Sequence, residues 1–256
     1  RAERRVLLSV PHMGGNELGY VQQAFQSNWL STVGPNLTAL ESSFSAEVGV
    51  PSLAIGSGTA GLHLALRLAG VGPGDDVLTQ SLTFVASANP ILYLGANPVF
   101  IDSEPSTWNI DPELLTEAIE SRVRAGRRPK AVLVVHLFGQ PARMDRILDV
   151  CHRHGVVLIE DAAESLGARY GGRHPGTLGD VGVFSFNGNK MITGTTGGML
   201  VSRHSEWVER ARHWSTQARD LDPEGINNYV HTEAGYNYRM SNVVAGIVRG
   251  QMEVLT

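Results

Sequence analysis

The chain has one cysteine in 256 residues, Cys151. That excludes an intrachain disulfide framework and fits a reducing compartment, so a cytoplasmic protein is expected. Without a partner, Cys151 reads as a small, half-buried helix residue. No stretch reaches about 18 apolar residues and no signal peptide opens the sequence, so no membrane segment is expected. There is no basic run. The 21 Lys and Arg stand against 25 Asp and Glu, a net charge of −4, which argues against a nucleic-acid binder held by phosphate contacts. Metal spacings such as HExxH or CxxC are missing, and His152 and His154, two apart at a predicted helix end, share no face; no metal is expected. An initial Met is absent too, and Thr256 falls in a predicted helix; both are expected to mark an excerpt of a longer protein. What is present is an ordinary globular composition, 42% hydrophobic and 18% charged, enough for a sizeable core.

Residues 1–50 read as an entry arm and a first helix, Glu17 to Ser27, with Leu18, Val21, Ala24 and Phe25 as its apolar face. Asn28 to Pro35 follows as a loop, and its Trp29 serves either packing or recognition. From residue 53, short apolar strands alternate with helices. Strands are predicted at Leu53–Ile55, Asp76–Thr79, Pro98–Ile101, Ala131–Val135 and Val156–Ile159. Helices are predicted from Ser57 to Leu68, Phe84 to Leu94, Asp111 to Val123 and Arg143 to His154. This alternation predicts an α/β fold, a three-layer α/β/α sandwich around a mostly parallel sheet. Two further strands, Asp180–Phe186 and Gly198–Ser202, have so short a connection that antiparallel pairing is expected. A helix from Glu206 to Gln217, a polar loop from Arg219 to His231 and a final helix N-capped by Ser241 complete the chain. The main domain is thus expected over 51–240, with 241–256 leading out of it.

Three constellations carry chemistry. Gly56-Ser57-Gly58-Thr59-Ala60-Gly61 matches GxGxxG between a strand and a helix. A dinucleotide site needs an acid at the carboxyl end of the second strand, whereas Asp75 and Asp76 precede Val77. A helix start that binds one phosphate through free N–H groups and the Ser57 and Thr59 hydroxyls remains, beside a packing turn without ligand. Asp161 ends the strand Val156–Ile159, where ligands of open α/β sheets bind. It suits either a protonated heterocyclic nitrogen or an N-cap. The third is Ser185 with Lys190, five residues on, in a glycine-bearing turn. A solvated loop lysine is the plain alternative. A partly buried amine is instead poised for imine formation. A phosphate site, a ring-nitrogen partner and an imine-forming amine together are what pyridoxal 5′-phosphate requires.

On these residues, with Thr83-Phe84-Val85-Ala86, Glu160-Asp161-Ala162-Ala163-Glu164 and Gly235-Tyr236-Asn237-Tyr238-Arg239-Met240, the chain resembles the DegT/DnrJ/EryC1/StrS sugar aminotransferases, pyridoxal-phosphate enzymes of fold type I. Pro11 to Glu17 and Ser185 to Lys190 look most like the branch that makes UDP-linked 4-amino-6-deoxy sugars for polysaccharide. The resemblance implies the large domain of that fold, with most of a smaller C-terminal domain missing. It implies transfer of an amino group from L-glutamate to the 4-keto carbon of a nucleotide-linked sugar; a 3-keto dTDP-sugar aminotransferase and a non-catalytic cofactor-binding relative are the alternatives. By the same resemblance, Lys190 is the Schiff-base lysine and proton carrier, Asp161 pairs with the pyridine nitrogen, and Phe84 stacks on the ring. Thr59, Ala60 and Ser185 hold the phosphate, and Asn237 reaches the phosphate of a neighbouring subunit, implying a homodimer. Glu164 stands where relatives have His or Gln near the 3-oxygen, and a carboxylate there needs hydrogen bonds of its own. Thr193 to Gly198 departs from the usual pattern, which is expected to loosen the turn behind the lysine.

Overall fold

A computed structural model describes residues 10–220 and 229–255. Most of the polar loop expected from Arg219 to His231, and Thr256, lie outside them. Strands β1 (Ser52–Ile55), β2 (Asp76–Gln80), β3 (Asn97–Ile101), β4 (Ala131–Val135), β5 (Val157–Asp161), β6 (Val181–Ser185) and β7 (Gly198–Val201) form one sheet in the order β1-β7-β6-β5-β4-β2-β3. Every pairing from β6 to β3 is parallel, and β7 runs against both its neighbours, so β1 points the same way as β6. The antiparallel β6–β7 pair expected from the short Lys190 connection is there.

Alternation along each strand divides the core. Leu53, Ile55, Val77, Leu133, Ile159, Val183 and Leu200 face one side, under α3 (Gly58–Leu68) and α7 (Ser205–Ser215). The alternate residues face the other side. Ala54, Phe184 and Met199 lie under α2 (Pro35–Val48) and α8 (Asn242–Met252), and Leu78, Val132 and Leu158 under α5 (Pro112–Arg124) and α6 (Met144–His154). Period-two burial on both faces is what three layers require. At about 25 cal/mol per Å² of apolar surface removed from water, this burial on two faces drives folding.

Several local expectations change. Helix α2 was not anticipated. It starts at Gly34-Pro35, which reads as loop, yet proline at the first turn is favourable, and Leu37, Leu40, Phe44 and Val48 make a buried stripe. Helix α1 (Glu17–Gln26) forms as expected, but Leu18 and Phe25 are exposed, while Glu17 and Ala24 are buried. Its packing is set by α8, where Gly250 lets Glu17 approach and Gly246 lets Tyr20 approach. The single helix expected from Phe84 to Leu94 is a 3-10 turn, Val85–Ser87, then the five-residue α4, Asn89–Tyr93, which begins beside Pro90. Helix α8 is capped by Ser241, whose hydroxyl accepts from the Val244 N–H, and it ends at Met252, short of Thr256. Cys151 is fully buried, and burial pushes its thiol up to about 12.

Candidate active site

The parallel strands end along one rim, and a cavity of about 560 Å³ opens there. Its walls come from the segments after β1, β2, β4, β5 and β6 and from the turn before β7. Thr59, Phe84, Asp161, Glu164, Ser185 and Lys190 all line it; Ala60 and Asn237 do not.

One corner is the start of α3. Ser57 is extended, and its Oγ accepts the Ala60 N–H at 3.1 Å, a helix N-cap. Ala60 is buried and its N–H is committed to that cap, so it supports the corner rather than facing it. Gly58 and Thr59 line the cavity. First-turn N–H groups have no intrahelical acceptor and carry the positive end of the helix dipole. Ser185, last residue of β6, sits against this turn: a Cβ built on Gly58 would lie 3.2 Å from Ser185 Cβ and 3.4 Å from its Oγ. A side chain at Gly58 would crowd Ser185. The result is an anion cradle of hydroxyls and helix N–H groups.

Asp161 lies deeper and is buried. The Ser87 hydroxyl donates to Oδ2 at 2.7 Å, and the Ala163 N–H donates to Oδ1 at 3.2 Å. Burial raises its carboxyl above the ordinary carboxylate range, against the opposing effects of those two donors and of the Lys190 charge. Asp161 thus both orders its own turn and faces the cavity. Glu160, its neighbour, points to the other face. It accepts the Gly176, Leu178 and Gly179 N–H groups and pairs with His136 at 2.9 Å. The Ala142 N–H donates to His136 Nδ1, so the ring proton sits on Nε2 and points at Glu160.

Lys190 is the cation of the cavity wall, its side chain 16% exposed, with Nζ 3.0 Å from Glu164 Oε1. Glu164 Oε2 accepts the Phe138 N–H at 2.8 Å. Both of its oxygens therefore have donors, which answers the need for hydrogen bonds at that position. The turn behind the lysine is not loosened. Thr193 Oγ1 donates to Phe186 O and accepts the Thr195 N–H. Buried Gln251 on α8 then clamps Thr193 from both sides: its Oε1 accepts the Thr193 N–H at 2.8 Å and its Nε2 donates to Thr193 O at 2.7 Å. Thr195 takes the left-handed conformation at φ 70°, the cost of closing the turn without glycine there.

Phe84 stands at the mouth, 76% exposed, in an extended backbone after β2. A second aromatic, Phe138, lines the same cavity at 75% exposure and had not been singled out. Its φ of 54° is left-handed, which costs an L-residue about 1–2 kcal/mol. Nothing in the local sequence signals this except the following Gly139. Asn237 is exposed on the Gly235–Met240 segment, which bridges Thr216 in α7's C-cap. It does not line this chain's own cavity. Trp29 is half-exposed, also away from the cavity, with its carbonyl accepting from Asn242 Nδ2. The acid a dinucleotide needs is again misplaced: Asp76 opens β2 and pairs with Arg122, while Gln80 ends it.

An anion cradle, a buried carboxylate, an amine and an exposed ring thus surround one space, and the donor set fits pyridoxal phosphate. Among the described residues, no cluster of His, Cys, Asp and Glu suits a metal, and no helix is long and apolar enough to cross a membrane.

Known proteins with the same architecture are numerous. EpsN of Bacillus subtilis (strain 168) is 52% identical over 98% of this chain and 64% of its own length; its name assigns it pyridoxal phosphate-dependent aminotransferase activity provisionally. GDP-perosamine synthase of Caulobacter vibrioides is 41% identical over 97% of this chain and 65% of its own length. The chain therefore spans just under two-thirds of these relatives. Among solved structures, the aminotransferase TlmJ from Streptoalloteichus hindustanus superposes with a TM-score of 0.89 at 35% identity, over 97% of this chain and 66% of that one. A Streptococcus pneumoniae protein named provisionally as a sugar aminotransferase, in its PLP form, gives 0.88 at 26% identity, over 98% and 67%. The expected fold-type I large domain is borne out. The sequence pattern of these enzymes matches residues 11–256, and the protein belongs to the DegT/DnrJ/EryC1/StrS aminotransferase family.

Proposed function

We propose that the protein is a pyridoxal-phosphate-dependent aminotransferase that moves an amino group from L-glutamate to the 4-keto carbon of a nucleotide-linked 6-deoxy sugar. The observation that carries this is the convergence of Lys190, Asp161 and the Ser57–Thr59/Ser185 cradle on one cavity. When bound, the cofactor supplies an aldehyde for amine exchange and a ring that accepts electron density. The chain's residues do the rest. Thr59, Ser185 and the first turn of α3 hold the phosphate, with Ala60 bracing the turn. Asp161 faces the pyridine nitrogen and keeps it protonated. Phe84 covers the ring. Glu164 lies near the 3-oxygen and holds the Lys190 amine. Lys190 Nζ, once freed by the donor, takes the proton from the donor's α-carbon and returns it on the sugar side.

The nucleotide moves from the uridine expected from sequence to guanosine, because three of the similar relatives are named GDP-perosamine synthases. A role in polysaccharide synthesis agrees with the name of SpsC of Bacillus subtilis, 41% identical. We also propose a homodimer in the cytoplasm, in which Asn237 completes the partner's phosphate site, since it is exposed and does not line its own cavity.

The test loads the protein with pyridoxal phosphate, adds L-glutamate and follows 2-oxoglutarate, then offers GDP-, UDP- and dTDP-linked keto sugars. Turnover with the GDP sugar supports the reading. Turnover only with a 3-keto dTDP sugar replaces the substrate, and cofactor capture without 2-oxoglutarate replaces the enzyme with a binding protein.

A further inference from the structure

Among the described residues, Phe138 is the aromatic of the cavity wall with a left-handed backbone, and hydrogen bonds hold that backbone on both sides. Phe138 sits in the 3-10 turn Leu137–Gly139 after β4 with φ 54° and ψ 26°. Its ring is 75% exposed, so packing does not hold it there. The backbone around it does. Asn109, fully buried, accepts the Leu137 N–H at 2.8 Å and donates from Nδ2 to Gln140 O at 2.9 Å, so it grips the turn on either side. The Phe138 N–H itself is held by Glu164 Oε2, and the Gly139 N–H by His136 O. Strain that the surroundings over-determine at a cavity is a mark of a residue being aimed.

The aim follows from the chain of bonds. Glu164 joins the Phe138 N–H at 2.8 Å to Lys190 Nζ at 3.0 Å, so the Phe138 backbone stands one carboxylate away from the reacting amine, and both residues line the one cavity. The cradle is made by Thr59, after β1, and Ser185, at the end of β6, whereas Phe138 follows β4, two strands from β6 in the sheet. Phe138 therefore lines a part of the cavity separate from the phosphate cradle, with room for the larger sugar substrate.

We propose that Phe138 is a specificity-determining residue: its ring forms the wall against which the sugar's carbon–hydrogen face stacks, with Asn109 as the positioning residue that holds it left-handed. This rests on the aminotransferase reading. Phe138→Gly and Phe138→Leu, made in the full chain, separate the two. For both variants, cofactor adduct formation and the glutamate half-reaction are expected to match the wild type, while KM for the keto sugar rises about tenfold or more in Phe138→Gly with little change in kcat. Phe138→Leu, which keeps an apolar wall, is expected to fall between. Relief of the left-handed strain predicts a melting temperature for Phe138→Gly at or above the wild-type value, which a purely structural phenylalanine would not give. A sugar KM within twofold of wild type in Phe138→Gly overturns the proposal, as does loss of the dimer on sedimentation, which would make the ring a subunit contact. Failure of the wild type itself to form the adduct or release 2-oxoglutarate refutes the aminotransferase reading instead.

Discussion

Gln251→Ala tests whether the turn behind Lys190 is held from a distance. In the wild type, a side chain only 2% exposed satisfies both the N–H and the C=O of Thr193, at 2.8 and 2.7 Å. Truncation leaves two buried backbone groups without partners, each costing about 1–3 kcal/mol. Local adjustment recovers part of this, so the loss is about 3 kcal/mol. For a chain of this size, that lowers the melting temperature by roughly 6–12 °C, taking about 2–4 °C per kcal/mol. Gln251→Met keeps the side-chain volume while removing both hydrogen bonds, so it should lose nearly as much. The assay is thermal unfolding by circular dichroism, followed by titration with pyridoxal phosphate at a temperature where both variants are folded. Weaker cofactor capture is expected in both, because Thr193 sets the path of the chain that returns from Lys190 to β7. A fall of less than about 2 °C in Gln251→Ala, with unchanged cofactor affinity, would show that the turn holds itself and would refute the reasoning.

Two other outcomes follow from burial. The Asp161 carboxyl is raised in the fold, so the folded state binds its proton more tightly than the unfolded chain does; its stabilising contribution is present below the ordinary carboxylate range and is lost as pH climbs through the raised value. Asp161→Asn should therefore raise the melting temperature of the cofactor-free protein more at pH 8 than at pH 4, and an equal effect at both would contradict the assignment. Cys151, buried and with its thiol pushed up to about 12, should resist a thiol reagent in the native protein and react fully in denaturant; rapid native labelling would mean that the α6 face opens.

Much of the architecture was legible because strands covered on both faces read as short apolar runs, such as Ala131 to Val135, separated by helical spacing. The order of Thr59, Asp161, Ser185 and Lys190 was legible for the same reason: each follows or ends a strand whose carboxyl end faces the rim. The misses share one cause, a partner distant in sequence. Leu18 and Phe25 look like the buried face of α1 until Gly246 and Gly250 of α8 place Glu17 and Tyr20 inward. The Thr193 turn looks loose until Gln251, 58 residues on, is seen to hold it. Phe138 carries no local mark beyond the following Gly139, since its conformation is held by Asn109 and Glu164. Ala60 is a local case instead: the family resemblance implies a phosphate contact there, while in the fold its N–H goes to the Ser57 cap three residues before it.

The central claim is that Lys190 is the amine that captures the cofactor. Its most direct test is to mix the protein with pyridoxal 5′-phosphate, reduce with borohydride and map the modified residue by mass spectrometry of the digested chain. A single phosphopyridoxyl group on Lys190, absent in Lys190→Ala together with the visible absorbance, is the predicted result. Modification spread over surface lysines, or an unchanged spectrum in Lys190→Ala, would contradict it.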